Sequence, residues 1–119
     1  MGVSGFSYKS LYGSPEGKRI NWFNGQFYCG WASLATTADY DAIVKNGFPA
    51  EKVVGGMIGN PANCSGFVPI ATVAKTVKKL AAEYPQFGGV ADWEYFNTLP
   101  GDLKNPVEWG FIMAKAMGK

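Results

Sequence analysis

Residues 51–60, "EKVVGGMIGN", carry an apolar run from Val53 to Ile58 that opens into the loop "GNPANCSG". A short apolar run bounded by turn formers reads as a strand buried on both faces, the kind that parallel sheets contain. The residues on either side then decide what covers it. Downstream, Ile70, Val73, Ala74, Val77, Leu80, Ala81 and Tyr84 recur at helical spacing, so Ile70 to Tyr84 is predicted to be a helix with one apolar stripe. Lys75, Lys78, Lys79 and Glu83 fall on its opposite side and read as a solvated outer face rather than a binding patch.

Upstream, "INWFNGQFY", Ile20 to Tyr28, follows the turn cluster "GSPEGK" and precedes Gly30. Its period is two: Phe23, Gly25 and Phe27 lie on one face, and Trp22, Asn24, Gln26 and Tyr28 on the other. A helix is expected next, with Thr36 as N-cap, Asp39 three residues on, Tyr40, Ile43 and Val44 as its apolar stripe, and Gly47 as its stop. Phe87 to Trp93 is predicted as a third strand. A last helix begins at Asn105-Pro106, with Glu108 in its first turn and Trp109, Ile112, Met113, Ala116 and Met117 on its buried side.

The order strand, helix, strand, helix, strand, helix with short connections predicts an α/β fold of three consecutive parallel βα units. Residues 1–19 form a lead-in with one helical turn expected around Tyr8 to Tyr12, and 20–119 form the three units of a single domain. Two architectures satisfy this pattern: a small open doubly wound sheet, or part of a (β/α)8 barrel, whose full form needs roughly 250 residues.

Composition narrows the function classes. The chain has 119 residues, 47% apolar and 17% charged, and its net charge of +2 is spread out, which argues against a nucleic-acid or polybasic membrane partner. There is no histidine, so Ser-His-Asp and Cys-His nucleophile systems are excluded, and a zinc site would have only two cysteines and carboxylates to use. Neither a metal nor another cofactor is expected. Cys29 and Cys64 do not form a Cys-x-x-Cys redox motif and read equally as a disulfide or as two buried thiols. Asn63-Cys64-Ser65 matches the short N-glycosylation acceptor pattern. The opening residues "MGVSGFSYKS" lack the basic start and apolar core of a signal peptide, which suits either a cytosolic chain or a trimmed mature piece.

In either architecture, chemistry gathers at the carboxyl ends of the strands. If Phe23, Gly25 and Phe27 pack under helices, Asn24, Gln26 and Tyr28 face the other way, as an internal polar network or as a stripe toward a ligand. In "GGVADWEYFN", residues 88–97, the parity that turns Trp93 toward this face turns Asp92 and Glu94 away from it. Gly89, Ala91 and Trp93 then make a floor with one large flat ring at its top, either core or a surface for a sugar.

"NWFNGQFYCGW", "VVGGMIGNPANCSGFVP" and "YPQFGGVADWEYFN" resemble the sixth, seventh and eighth strands of fungal family 18 glycoside hydrolases, the chitinases and endo-β-N-acetylglucosaminidases. The likeness runs from about Gly5 to Met117, and its most specific elements are Asn24 with Gln26-Phe27-Tyr28, and Gly88-Gly89-Val90 with Trp93-Glu94-Tyr95-Phe96. It implies a (β/α)8 barrel that hydrolyses glycans containing N-acetylglucosamine, with the sugar's own acetamido oxygen as nucleophile. Tyr28 would then donate to the acetamido carbonyl, Gln26 would bond the sugar or its polar neighbours, and Trp93 would floor the subsite of the reacting sugar. Asn24, Asn60 and Glu94 are lesser candidates at strand ends.

The family's general acid closes an Asp-x-x-Asp-x-Asp-x-Glu run on the fourth strand, and these 119 residues contain no such run. The chain alone is therefore expected to be inactive as a hydrolase, with a carbohydrate-binding module or a self-associating half-barrel as the alternatives. The resemblance puts Cys29 and Cys64 on one rim of neighbouring strands, which implies a disulfide and a secreted origin. The open sheet edges predict a homo-oligomer or completion by the N-terminal barrel segment.

Overall fold

A computed structural model describes residues 5–119. Its elements in chain order are α1 (Tyr8–Gly13), β1 (Phe23–Gln26), α2 (Ala38–Lys45), β2 (Val53–Ile58), α3 (Ile70–Glu83), β3 (Val90–Trp93) and α4 (Val107–Ala116). Short 3-10 turns lie at Glu16–Arg19, Ala50–Lys52, Tyr95–Asn97 and Asp102–Lys104. The three strands form one parallel sheet in the order β1-β2-β3, with β2 in the middle. The partial α/β unit predicted from the alternation is therefore present.

One face of the sheet is closed by helices. Val53, Gly55 and Met57 of β2 are buried there, and Val73, Val77 and Leu80 of α3 are fully covered above them, with Met113 of α4 beside. Sealing a side chain such as Leu80 from water contributes about 1.5–3 kcal/mol. Thr76, the one polar side chain buried on α3, donates its hydroxyl to Ala35 O at 3.3 Å, which ties the helix to the loop before α2. Lys75, Lys78, Lys79 and Glu83 are exposed, as a solvated outer face requires.

Tyr40 locks α2 to the amino end of β2. Its ring is wholly buried among Phe27, Tyr84 and Phe87, and its hydroxyl sits 3.0 Å from Ala50 O and 2.8 Å from Val53 O. Burial pushes the phenol up to about 12. Tyr84 is also raised to about 12, by desolvation and then by donating to Asp41 Oδ1 at 2.8 Å.

The structure refines several boundaries. β1 was expected over Ile20 to Tyr28 but pairs only over Phe23–Gln26, because the Glu16–Arg19 turn delivers the chain late and Lys52 Nζ takes the Ile20 carbonyl. β3 starts at Val90 rather than Phe87, since Gly89 adopts φ +104 and so breaks the extended run. The residue preceding α2 is Thr37 rather than Thr36, and Asp39 accepts from Ser33 N at 2.8 Å instead of closing a capping box.

The second face of β2 is less covered than a strand buried on both sides requires. Val54 and Gly56 are half-buried there, and only Ile58 is closed off. This is the face on which the candidate site residues lie.

Candidate functional site

Pairing register fixes which side chains share the open face. Asn24 lies level with Val54, Gln26 with Gly56, Gly56 with Ala91, and Ile58 with Trp93. Side chains level across a parallel sheet point to the same side. Asn24, Gln26, Ala91 and Trp93 therefore line one surface, and Trp93 tops it with 55% of its surface exposed. Phe27 N donates to Gly56 O at 2.9 Å and carries the pairing one step past β1. Tyr28 follows, and its ring leans over Gly56: a Cβ on that glycine would stand 3.9 Å from Tyr28 Cε1. The same Cβ would meet Gly25 O at 2.7 Å, so glycine is what lets β1 come this close.

Past Tyr28 the chain turns through Cys29, at φ 53, and Gly30, at φ 82. Cys29 is bonded to Cys64 with their Cα atoms 5.8 Å apart, and Cys29 N donates to Ser65 O at 2.9 Å. The rims after β1 and β2 are thus joined covalently beside Tyr28.

The loop after β2 also grips the segment after β3. Gly59 N donates to Trp93 O at 3.1 Å, and Gly59 O accepts from Leu99 N at 2.9 Å. Asn60 Nδ2 reaches Asn97 O at 2.9 Å, while its Oδ1 accepts from Ala62 N at 3.0 Å. Asn60 thus lies at the strand end with both ends of its amide bonded to protein. Asn63 Nδ2 donates to Trp93 O at 3.0 Å and to Asn97 Oδ1 at 3.1 Å, and Asn97 Nδ2 donates back to Asn63 Oδ1 at 2.8 Å. Neither Asn63 nor Asn97 stood among the site residues read from the sequence. The Asn60, Asn63 spacing within "GNPANC" was the available signal, and Asn97 gave none.

Asp92 lies level with the buried Met57, on the helix side of the sheet and opposite to Trp93. Both of its carboxylate oxygens are buried, as is the hydroxyl of Thr98, and none of the three makes a well-aligned hydrogen bond. The two groups meet around Gly59, where a Cβ would collide with both. Burial pushes the Asp92 carboxyl above the ordinary carboxylate range, the adjacent Thr98 hydroxyl opposes the rise, and the charge of Glu94 adds to it. β3 ends at Trp93, so strand alternation does not fix Glu94, which is half-buried at the start of the Tyr95–Asn97 turn.

Among the described residues no group of three His, Cys, Asp or Glu side chains is placed to hold a metal ion, and no helix is long and apolar enough to cross a membrane.

Two solved structures match this fold over most of its length. A fungal endo-β-N-acetylglucosaminidase from glycosyl hydrolase family 18 superposes with a TM-score of 0.87 at 46% identity, over 94% of this chain and 39% of that one. The chain is similar to fungal family 18 glycoside hydrolases over nearly its whole length. A second solved structure, the chitinase ChiC from Aspergillus fumigatus, matches with a TM-score of 0.77 at 38% identity, over 95% of this chain and 41% of that one. The family 18 resemblance carried by the three quoted stretches is borne out, and of the two architectures the partial barrel is the one these structures match. The chain spans about two fifths of the length of each. No family model and no curated protein matches it.

Proposed function

We propose that these 119 residues form the sixth-to-eighth-strand, C-terminal portion of a family 18 glycosidase site for glycans containing N-acetylglucosamine. The observation that carries the reading is the common face of Gln26, Tyr28 and Trp93 at the carboxyl ends of adjacent strands. In substrate-assisted hydrolysis the acetamido oxygen attacks the anomeric carbon, and a donor must stabilise the charge that develops on that group. Tyr28 supplies the hydroxyl donor, Gln26 bonds the sugar or its polar neighbours, and Trp93 offers an exposed ring to the apolar face of the reacting sugar. Asn24 extends the polar stripe below them, and Glu94 flanks Trp93.

Protonating the leaving oxygen needs an acid, and the side chains that the strand register places on this face do not include one, while Glu94 lies past the end of β3 at the start of the next turn. Asn24, Gln26 and Tyr28 are neutral polar groups, and the carboxylate oxygens of Asp92 are buried on the other side of the sheet. The 119 residues alone are therefore a binding surface without turnover, and the acid comes from outside them. A preceding barrel segment, or a second copy of the chain, covers the free edges of β1 and β3. The Cys29–Cys64 disulfide supports an extracellular setting.

The test uses the purified chain with two probes. Tri-N-acetylchitotriose is expected to bind the wild-type chain and to lose binding in Trp93→Ala, while a fluorogenic chitobioside is not turned over. Turnover that Tyr28→Phe abolishes would overturn the inactive reading. Binding unaffected by Trp93→Ala would overturn the sugar-floor reading.

The second reading, a carbohydrate-binding module that never completes a barrel, is favoured by the 55% exposure of Trp93. It differs by predicting a stable monomer that binds sugar.

A further inference from the structure

We infer that Asn63 is a positioning residue for Trp93, a role that rests on the reading of Trp93 as the sugar floor. Trp93 is the last residue of β3, so its ring direction depends on how its carbonyl is held after the sheet ladder ends. The ladder supplies one bond, from Gly59 N at 3.1 Å. The second comes from Asn63 Nδ2 at 3.0 Å, across a sequence separation of 30 residues.

A primary amide has two N–H donors, and both are committed in Asn63. One goes to the Trp93 carbonyl and the other to Asn97 Oδ1, while Asn97 returns a bond to Asn63 Oδ1. The bond to Asn97 Oδ1 fixes one N–H of the Asn63 amide, and the other is then aimed at Trp93 O. The next residue, Cys64, is bonded to Cys29, which directly follows Tyr28. Residues 63–64 therefore set Trp93 through an amide on one side and border Tyr28 through a disulfide on the other. No other side chain of the loop reaches the Trp93 carbonyl: Asn60 spends its amide on Asn97 O and Ala62 N. The acceptor pattern Asn63-Cys64-Ser65 falls on the same nitrogen, and a glycan there would replace one of the two committed hydrogens.

Two nearly isosteric substitutions separate this role from general support of the loop. Asn63→Asp removes the donor to Trp93 but leaves Asn97 able to donate to the new carboxylate. Asn97→Asp introduces the same charge into the same cluster, withdraws only the return bond to Asn63 Oδ1, and keeps both acceptors of Asn63 Nδ2. In the isotope-labelled chain, the carbonyl carbon of Trp93 and the amide of Glu94 report the hydrogen bond directly, and tri-N-acetylchitotriose reports the ring. Asn63→Asp is expected to shift the Trp93 carbonyl resonance upfield and to weaken trisaccharide binding about fivefold, the worth of one ordinary hydrogen bond. Asn97→Asp is expected to leave the carbonyl resonance in place and binding within twofold.

Equal shifts in the two variants, or none in either, would overturn the assignment. If the carbonyl shifts as expected but the wild-type chain binds no trisaccharide, the sugar-floor reading fails while the hydrogen bond stands, and the functional role of Asn63 falls with that reading. Should Asn63→Asp not fold, Asn63→Ser carries the same comparison without the charge.

Discussion

The ring of Tyr28 packs at van der Waals distance over Gly56, whose missing side chain is excluded by the carbonyl of Gly25. A Cβ at position 56 would lie 3.9 Å from Tyr28 Cε1 and 2.7 Å from the carbonyl oxygen of Gly25. The second distance is the severe one, because it involves backbone in a paired strand. Gly56→Ala must therefore push β1 away from β2, and overpacking of this kind costs about 1–3 kcal/mol. We expect a lower urea midpoint for Gly56→Ala. Tyr28→Phe, which keeps the ring and removes only the hydroxyl, should stay within about 0.5 kcal/mol of wild type. Equal stability of all three proteins would contradict the packing described for this face.

Closing the Cys29–Cys64 bond ties residues separated by 35 positions. A loop of that length restricts the unfolded chain by about 3–4 kcal/mol in the chain-entropy account. The double substitution Cys29→Ser with Cys64→Ser should lower stability by an amount in that range, read from denaturant curves. It should also loosen the region of Tyr28, because Cys29 N would then depend on its bond to Ser65 O alone. Hydrogen exchange at Cys29 and Gly30 that matches wild type would argue that the rim is held by other contacts.

The sequence was most legible where packing follows a period. Val53 to Ile58 could be bounded from its apolar run, and Ile70 to Tyr84 from its stripe, because both pack a continuous surface. Parity on the first strand likewise separated Asn24 and Gln26 from Phe23 and Phe27, and the register puts the two sets on opposite faces. Strand ends were less legible, since β1 starts only after a turn and the Lys52 bond to Ile20 O rather than where alternation starts. The amide cluster of Asn60, Asn63 and Asn97 was invisible for a different reason. It joins residues 34 positions apart through single side chains, and nothing periodic marks such a contact. The meeting of Asp92 with Thr98 escaped in the same way, because only the turn after Trp93 brings Thr98 back against β3.

Tyr40 offers a direct check on the helix-covered face. Its hydroxyl is buried against Ala50 O and Val53 O, and removing it leaves those carbonyls without that donor. Ala50 O still accepts from Gly88 N at 3.0 Å, so Tyr40→Phe should cost about 0.5–1.5 kcal/mol, the net worth of a typical hydrogen bond. The effect on pH dependence has a definite sign. With its phenol raised to about 12, native Tyr40 keeps a proton that the unfolded chain releases near 10, so stability falls between those values as pH rises. The phenylalanine variant should lose part of that alkaline decline. An unchanged decline would mean that other groups, Tyr84 among them, account for it.

Asp92 gives the complementary test at acid pH. Its carboxyl is raised above the ordinary 3.8 by burial, with Glu94 adding to the rise and Thr98 opposing it. The native state then holds a proton over a range in which the unfolded chain has lost it. Stability is therefore highest below 3.8, falls as pH rises from there through the native value, and stays reduced above it. This is the reverse of a carboxylate in an ion pair, whose contribution is lost on acidification. Asp92→Asn keeps the shape, cannot ionise, and brings an N–H donor to the unpartnered Thr98 hydroxyl. We expect the asparagine variant to exceed wild type in thermal stability at pH 7, with the gap closing at about pH 3, where both side chains are neutral. Melting curves of the two proteins across that range measure the gap directly. A variant less stable than wild type at pH 7 would mean that the Asp92 charge is compensated in the folded chain. In that case the carboxylate would be a stabilising group rather than a buried cost.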